Sequence, residues 1–387
     1  MLYISNLFST FEKNSVMIKT YSFPSVYEST LRDFATSNDP ILGFSKLKYD
    51  GAEYLVGLQA LNEGISPHKF INPSPEDIDY KIISQSALVL AINSLQSESK
   101  NGKLPKMVIT SGFPYATYQF NKDEASDYYK EEKIISYFKA DDEGSQKSEQ
   151  RIVSVSSISI IPELVGCDTA VRKGANPIDG NFILLSLGYG TCEGALSTPE
   201  GLSARTLFST HGISYPVNLF TQELTKHTYL QMRTEHQIDQ LFTKGFMFVN
   251  RKRRDFTAEK KLALEMYYSN VISPAIRRYI SDQDFESCSK IVIAGGGALH
   301  KDLIALFNDE FGEILTVHIY ENPDKCAANG YALHSKLNFQ LNEKDGVYST
   351  ENENDFAFLG IDIGNASTSV SILSKSTNGS THSGPTL

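Results

Sequence analysis

At 387 residues, with 41% apolar, 21% charged and 11% aromatic content, the chain is too long for one simple core and reads as a soluble globular protein of two or more domains. A formal charge of −10 excludes a broad electrostatic grip on nucleic acid, and no run approaches the roughly 18 apolar residues that cross a bilayer. Cys167, Cys192, Cys288 and Cys326 are scattered without zinc-ligand spacing and read as reduced thiols; with no signal-peptide pattern at the N-terminus, the expected location is the cytoplasm.

In chain order, residues 1–60 read as a strand meander: Val16–Phe23, then Leu47–Tyr49 and Glu53–Gly57 around the turn Asp50-Gly51. Tyr80–Ser97 carries a helical pattern with Ile83, Ala87, Leu90, Ala91 and Leu95 on one face. Lys106–Pro114 reads as a buried strand stopped by Gly and Pro, Asn121–Ser136 as a charged helix, Ile152–Ile161 as a strand and Glu163–Lys173 as a helix. The apolar strand Phe182–Leu187 follows, running into Gly188-Tyr-Gly-Thr191. Helical patterns occupy about 213–230, 231–243 and 257–281, and the basic run Lys244–Arg254 reads as a solvated helix end or loop. Ile291–Ala294 is a short buried strand opening into Gly295-Gly-Gly-Ala298 and a helix through Phe307; a strand at Val317–Ile319 and a helix at Asp324–Leu337 complete the alternation. Strands alternating with helices in each half predict an α/β protein with two sheets. Gln340–Asp355 is polar and acidic, a predicted linker, and Ser374–Leu387 a predicted flexible tail.

Three buried strands end in glycine turns: Asp362-Ile-Gly364, Leu187-Gly-Tyr-Gly190 and Ala294-Gly-Gly-Gly-Ala298. Glycine there permits close backbone approach to a ligand, and successive N–H groups in such turns form anion nests, so facing turns suit a polyphosphate. Taken singly, each is also an ordinary tight turn.

Together the three resemble the motifs of the actin-like ATPase superfamily, with Asp362–Thr368 similar to its first phosphate motif, Ile183–Thr191 to its second and Ile291–Ala298 to its adenosine motif. Ile161-Pro-Glu163 resembles the first connecting segment, and Asn322-Pro with Ala327-Ala-Asn-Gly-Tyr331 the second. Ile109–Pro114 and Phe23-Pro-Ser25 are similar to segments of the plasmid-segregation (ParM/StbA) actins. In the family the first phosphate hairpin opens the chain; here it stands near the end, which resembles a circular permutation joined through 340–355. The resemblance implies an actin-like (ribonuclease H-like) two-domain α/β fold. Residues 1–178 would form the first domain, with 335–373 completing its sheet, and 179–334 the second. It further implies that 358–373 lie in one sheet with 16–57 and 106–112.

The same resemblance implies ATP or GTP with Mg²⁺ as cofactors. Asp362 would hold the metal through water, with Glu193 a second candidate. Gly364, Asn365, Ala366, Ser367 and Thr368 would meet the β- and γ-phosphates, and Gly188, Tyr189, Gly190 and Thr191 would face them. Gly295, Gly296, Gly297, Ala298 and Gly212 would lie against adenine and ribose. Glu163 is the implied residue that orients or deprotonates the attacking water; a Pro-Glu pair is equally a common first helical turn. Two departures stand out: Ser369 replaces a frequent lysine, and Ser186 an aspartate. His211 and His300 read as solvated or capping residues. The implied function is a filament-forming ATPase that segregates DNA through an adaptor, with no direct nucleic-acid or membrane contact. A small-molecule kinase or phosphohydrolase and a non-polymerising nucleotide-dependent scaffold are the alternatives.

Overall fold

The computed structural model describes residues 17–30, 37–98, 104–226, 234–344 and 353–374. Two sheets share one plan. In the first, Met17–Pro24 runs antiparallel to Ser367–Ser374, which closes a hairpin with Phe356–Ile363; parallel strands Lys106–Phe113 and Val155–Pro162 follow. In the second, Phe208–His211 and Gly201–Leu202 run antiparallel to Thr191–Thr198, which closes a hairpin with Phe182–Leu187; parallel strands Lys290–Ala294 and Thr316–Ile319 follow. The late hairpin thus occupies the middle of a sheet whose other strands precede it in sequence, as expected for strand 17–24 and for 106–112.

The strands Lys46–Tyr49 and Ala52–Val56 belong elsewhere, in a further six-stranded sheet with Val26–Ser29, His68–Lys69, Lys133–Ala140 and Gln146–Val153. Two sheets were expected; the described residues also contain this third and a two-stranded ribbon. The long helix Ile78–Glu98 explains part of the difference. Ile82, Ile83, Ala87, Leu88, Val89, Leu90 and Ala91 are all buried, so it has no single apolar face. It lies between the hairpin sheet and the further sheet, touching both, and each demands apolar contact.

Other boundaries moved. The charged helix ends at Lys130, and Lys133–Ala140 is a strand, because Ile135 and Tyr137 point inward while Ile134 is exposed. Ile152 and Val153 end Gln146–Val153 rather than starting the next strand. The basic run is not a loop: Phe246–Val249 and Lys252–Asp255 form a hairpin, with Asn250 and Arg251 at positive φ in its turn. The helix from Cys326 reaches Lys344, five residues into the predicted linker, whose residues 345–352 lie outside the described residues, as do 375–387 of the predicted tail.

Two helices join the sheets. Glu163–Lys173 leaves the first sheet and packs on Phe182–Leu187 of the second; Cys326–Lys344 leaves the second and packs on Phe356–Ile363 of the first. They cross at Gly166 and Gly330, where a Cβ on Gly330 would sit 1.7 Å from the Gly166 carbonyl oxygen. Leu164, Cys167, Val171, Phe182, Val292, Cys326 and Tyr331 form the core between them. Among the described residues no helix is long and apolar enough to cross a membrane.

Candidate functional site

The ends of both hairpins and the third glycine turn converge on one cavity of about 330 Å³, a volume suited to a nucleotide-sized ligand. The two hairpin turns have matching geometry. A Cβ on Gly364 would meet the Ser367 carbonyl oxygen at 2.7 Å, and one on Gly188 the Thr191 carbonyl oxygen at 2.8 Å. The second turn is braced from below by the next helix: Gly212 N–H donates to the Gly190 carbonyl (3.0 Å), Ile213 N–H to Gly188 (3.0 Å) and Ser214 N–H to Tyr189 (2.8 Å). The first is braced by Ser25, whose N–H donates to the Ala366 carbonyl (3.1 Å) and whose hydroxyl pairs with Thr368 Oγ1 (2.8 Å). Gly295 (φ +84°) donates to the Pro323 carbonyl at 2.7 Å, and a Cβ there would collide with the Leu187 backbone at 2.5 Å. Glycine is the residue that allows this third turn to press on the strand end.

Of the residues expected to contact a nucleotide, Asp362, Gly364, Asn365, Ala366, Ser367, Gly188, Tyr189, Gly190, Thr191, Gly295, Gly296 and Gly297 line this cavity, and so does Glu163. Four others lie behind its wall. Thr368 faces Ser25; Gly212 supports the second turn; Ala298 sits in the apolar core; Glu193 is fully buried and accepts from Tyr115 N–H at 2.7 Å.

Three carboxylates gather at the strand ends. The Asp362 carboxylate makes no hydrogen bond or ion pair among the described residues, and burial, then Glu163, holds it well above the ordinary range. Burial also raises Glu163, opposed by a 2.7 Å hydrogen bond from the Ser186 hydroxyl. Glu193 is pushed up to about 8 by burial and by Glu163, against donors from Tyr115, Ser209 and Ala116; its Oε2 is buried without a partner. Tyr331 also buries an unpartnered hydroxyl, in the space left by the missing side chain of Gly112 (2.2 Å from a would-be Cβ), while its ring Cε1 fills that left by Gly166 (2.3 Å).

Glu193 supplies a pH test. Its folded-state pKa lies above its unfolded value, so the folded protein binds the extra proton and stability falls as pH rises from about 4.5 to about 8. Glu193→Gln is therefore expected to flatten the decline of melting temperature between pH 5 and 8.5. Parallel curves for variant and wild type would refute this account.

No lysine or arginine lines the cavity among the described residues. Ser369, at the position of the frequent lysine, is buried and pairs with Ser22 Oγ at 2.8 Å. No cluster of three acidic, histidine or cysteine side chains able to cage a metal occurs among the described residues. The partnerless Asp362 carboxylate beside backbone N–H turns nevertheless fits a hydrated Mg²⁺ carried on phosphates, since Mg²⁺ keeps its waters and needs few protein ligands.

Several wall residues carried no motif. Asn72 donates its N–H to Asn365 Oδ1 (2.6 Å) and accepts from Asn365 Nδ2 (2.9 Å). Lys69, buried, ion-pairs with Asp239 and sits 3.6 Å from the Tyr189 ring centroid, while Tyr189 donates to Asp239 at 2.7 Å. Segment 69–73 thus reaches across to both hairpin turns and to helix Glu235–Lys244, contacts that local sequence does not announce. His300, read as solvated or capping, instead lines the cavity against Phe242 (ring centroids 5.3 Å apart) and makes no side-chain cap; burial lowers its pKa to about 4.

Comparison with known proteins agrees with this architecture. Residues 9–166 match the family described as actin like proteins N terminal domain. A pCBH ParM non-polymerisable quadruple mutant superposes with a TM-score of 0.63 at 20% identity, covering 82% of this chain and 92% of that one. The ADP complex of Ta0583, an archaeal actin homolog, gives 0.57 at 14% identity over 82% and 92%. A subunit of a 15-stranded ParM filament from Clostridium botulinum gives 0.57 at 20% identity over 81% and 92%. No protein of curated function matches in sequence. The chain has the actin-like fold across most of its length, and its residues 9–166 match the actin-like N-terminal domain.

Proposed function

We propose that this protein binds ATP or GTP with Mg²⁺ in the cavity, hydrolyses it, and polymerises into filaments that move plasmid or other extrachromosomal DNA through a DNA-bound adaptor in the cytoplasm. The observation that carries the reading is the convergence of three glycine turns, from residues 188–190, 295–297 and 364–366, on one cavity without a basic side chain among the described residues. Turn N–H groups would hold the phosphates, and the cation would neutralise what lysine and arginine do not. Bound Mg²⁺, held through water by Asp362, would supply charge neutralisation of the polyphosphate. Glu163, at the first turn of its helix, would accept the proton of the attacking water.

The residues expected to touch nucleotide but lying behind the wall take supporting roles in this reading. Gly212, Ala298 and Thr368 set the shape of the turns, and Glu193, accepting from Tyr115 N–H, supports the strand end from behind rather than binding the metal. We also propose a two-domain division at about 178 and a permuted chain. The second sheet supports the permutation: its hairpin comes first in sequence, whereas the equivalent hairpin of the first sheet comes last. An ADP complex and filaments among the structural relatives support nucleotide binding and self-association. The net charge of −10 supports indirect contact with DNA.

Ultracentrifugation with ATP, GTP, ADP or no nucleotide tests the reading. Protein is expected in the pellet with triphosphate and Mg²⁺, and in the supernatant without nucleotide. Absence of polymer at high concentration, with phosphoryl transfer to a small acceptor, would establish the kinase reading instead.

A further inference from the structure

We propose that Ser186 is a positioning residue that acts through Glu163, fixing its carboxylate so that Oε2 is left for the attacking water. The inference rests on the hydrolytic reading above.

Ser186 is the penultimate residue of the central strand Phe182–Leu187, paired with Glu193 on one side and Ala294 on the other, and is 1% exposed, so its side chain has little freedom. Its hydroxyl donates to Glu163 Oε1 at 2.7 Å, and Glu163 Oε2 has no hydrogen bond among the described residues. Both residues line the cavity. A carboxylate at 186 could not play this part. It would add another acid to a cluster with Asp362 and Glu193, where burial already opposes ionisation, and once ionised it would have no proton to donate to Glu163. A hydroxyl donates without adding charge. The replacement therefore trades a possible contact to the hydrated cation for an oriented base.

The test is a double-mutant cycle on nucleotide turnover, with binding followed by a fluorescent nucleotide. Ser186→Ala is expected to lower kcat on the order of tenfold, the effect of losing one charge-assisted hydrogen bond, with nucleotide affinity unchanged. Ser186→Thr, which keeps the hydroxyl, should restore most of the rate. Ser186→Ala placed on Glu163→Ala should cost nothing further. If the double variant is slower than Glu163→Ala by the same tenfold, Ser186 acts independently and the inference fails while the hydrolytic reading stands. If Glu163→Ala turns over at the wild-type rate, the hydrolytic role of Glu163 fails first. Should the wild type bind nucleotide without turnover, a crystal structure of Ser186→Ala with a non-hydrolysable nucleotide decides: a displaced Glu163 carboxylate supports positioning, and an unmoved one overturns it.

Discussion

Replacing Glu163 by alanine is expected to slow phosphate release by about a hundredfold or more, with nucleotide affinity within a few-fold of wild type. The split follows from where the side chain sits. Glu163 opens the helix Glu163–Lys173 directly after Pro162, and the helix backbone does not depend on it beyond its first turn. Its carboxylate faces the cavity beside Asp362, yet the turns that would hold the phosphates, at Gly188, Gly295 and Gly364, are braced by other residues. Lost binding rather than lost turnover would refute the assigned role. The measurement is single-turnover phosphate release alongside equilibrium nucleotide binding.

Gly330→Ala is expected to destabilise the fold by about 3 kcal/mol, the upper end of ordinary overpacking. Helix propensity alone predicts the opposite sign, because alanine is favoured over glycine within a helix by about 1 kcal/mol. Packing decides it. The added methyl would stand 1.7 Å from the Gly166 carbonyl oxygen and 3.1 Å from Ala170 N, both backbone atoms that no rotamer change can move. The opposite side of the same helix is equally close: a Cβ on Gly360 would meet the Ala328 carbonyl oxygen at 2.0 Å. The helix therefore has nowhere to retreat. Denaturant unfolding without nucleotide measures the effect, and a midpoint equal to wild type would show that the crossing is softer than its distances indicate.

Much of the site was legible because glycine after a buried apolar strand leaves a strong local signal. Asp362, Gly188 and Gly295 were each readable in this way, and Pro162-Glu163 marked a helix start that the structure keeps to the residue. What was not legible depends on distant contacts. Lys69, Asn72 and Asp239 sit in segments of unremarkable composition, and only the tertiary fold brings them to the turns. Lys133–Ala140 hid its alternation behind Lys133 and Lys139 and the charged helix before it. Phe246–Val249 is masked in sequence by the four cations from Arg251 to Arg254, although Asn250-Arg251 is a fair hairpin turn. The long helix is hard to read for a different reason: a helix clasped between two sheets carries apolar residues all round rather than on one stripe.

The placement of the C-terminal hairpin governs how the chain can be made. Synthesis delivers Met17–Pro24, Lys106–Phe113 and Val155–Pro162 long before the two strands that lie between the first and the second of them. Until Phe356–Ser374 emerges, the first sheet has open edges on Met17–Pro24 and Lys106–Phe113, whereas the second can pair fully once Thr316–Ile319 is out. The pairing of Met17 with Ser374 joins the first and last described residues, a contact separation that slows folding and lengthens the interval in which those edges are exposed. Because Asp362 arrives on the same hairpin, the cavity cannot exist before that sheet closes. A nascent chain of this protein thus has no complete cleft until that hairpin has emerged and paired.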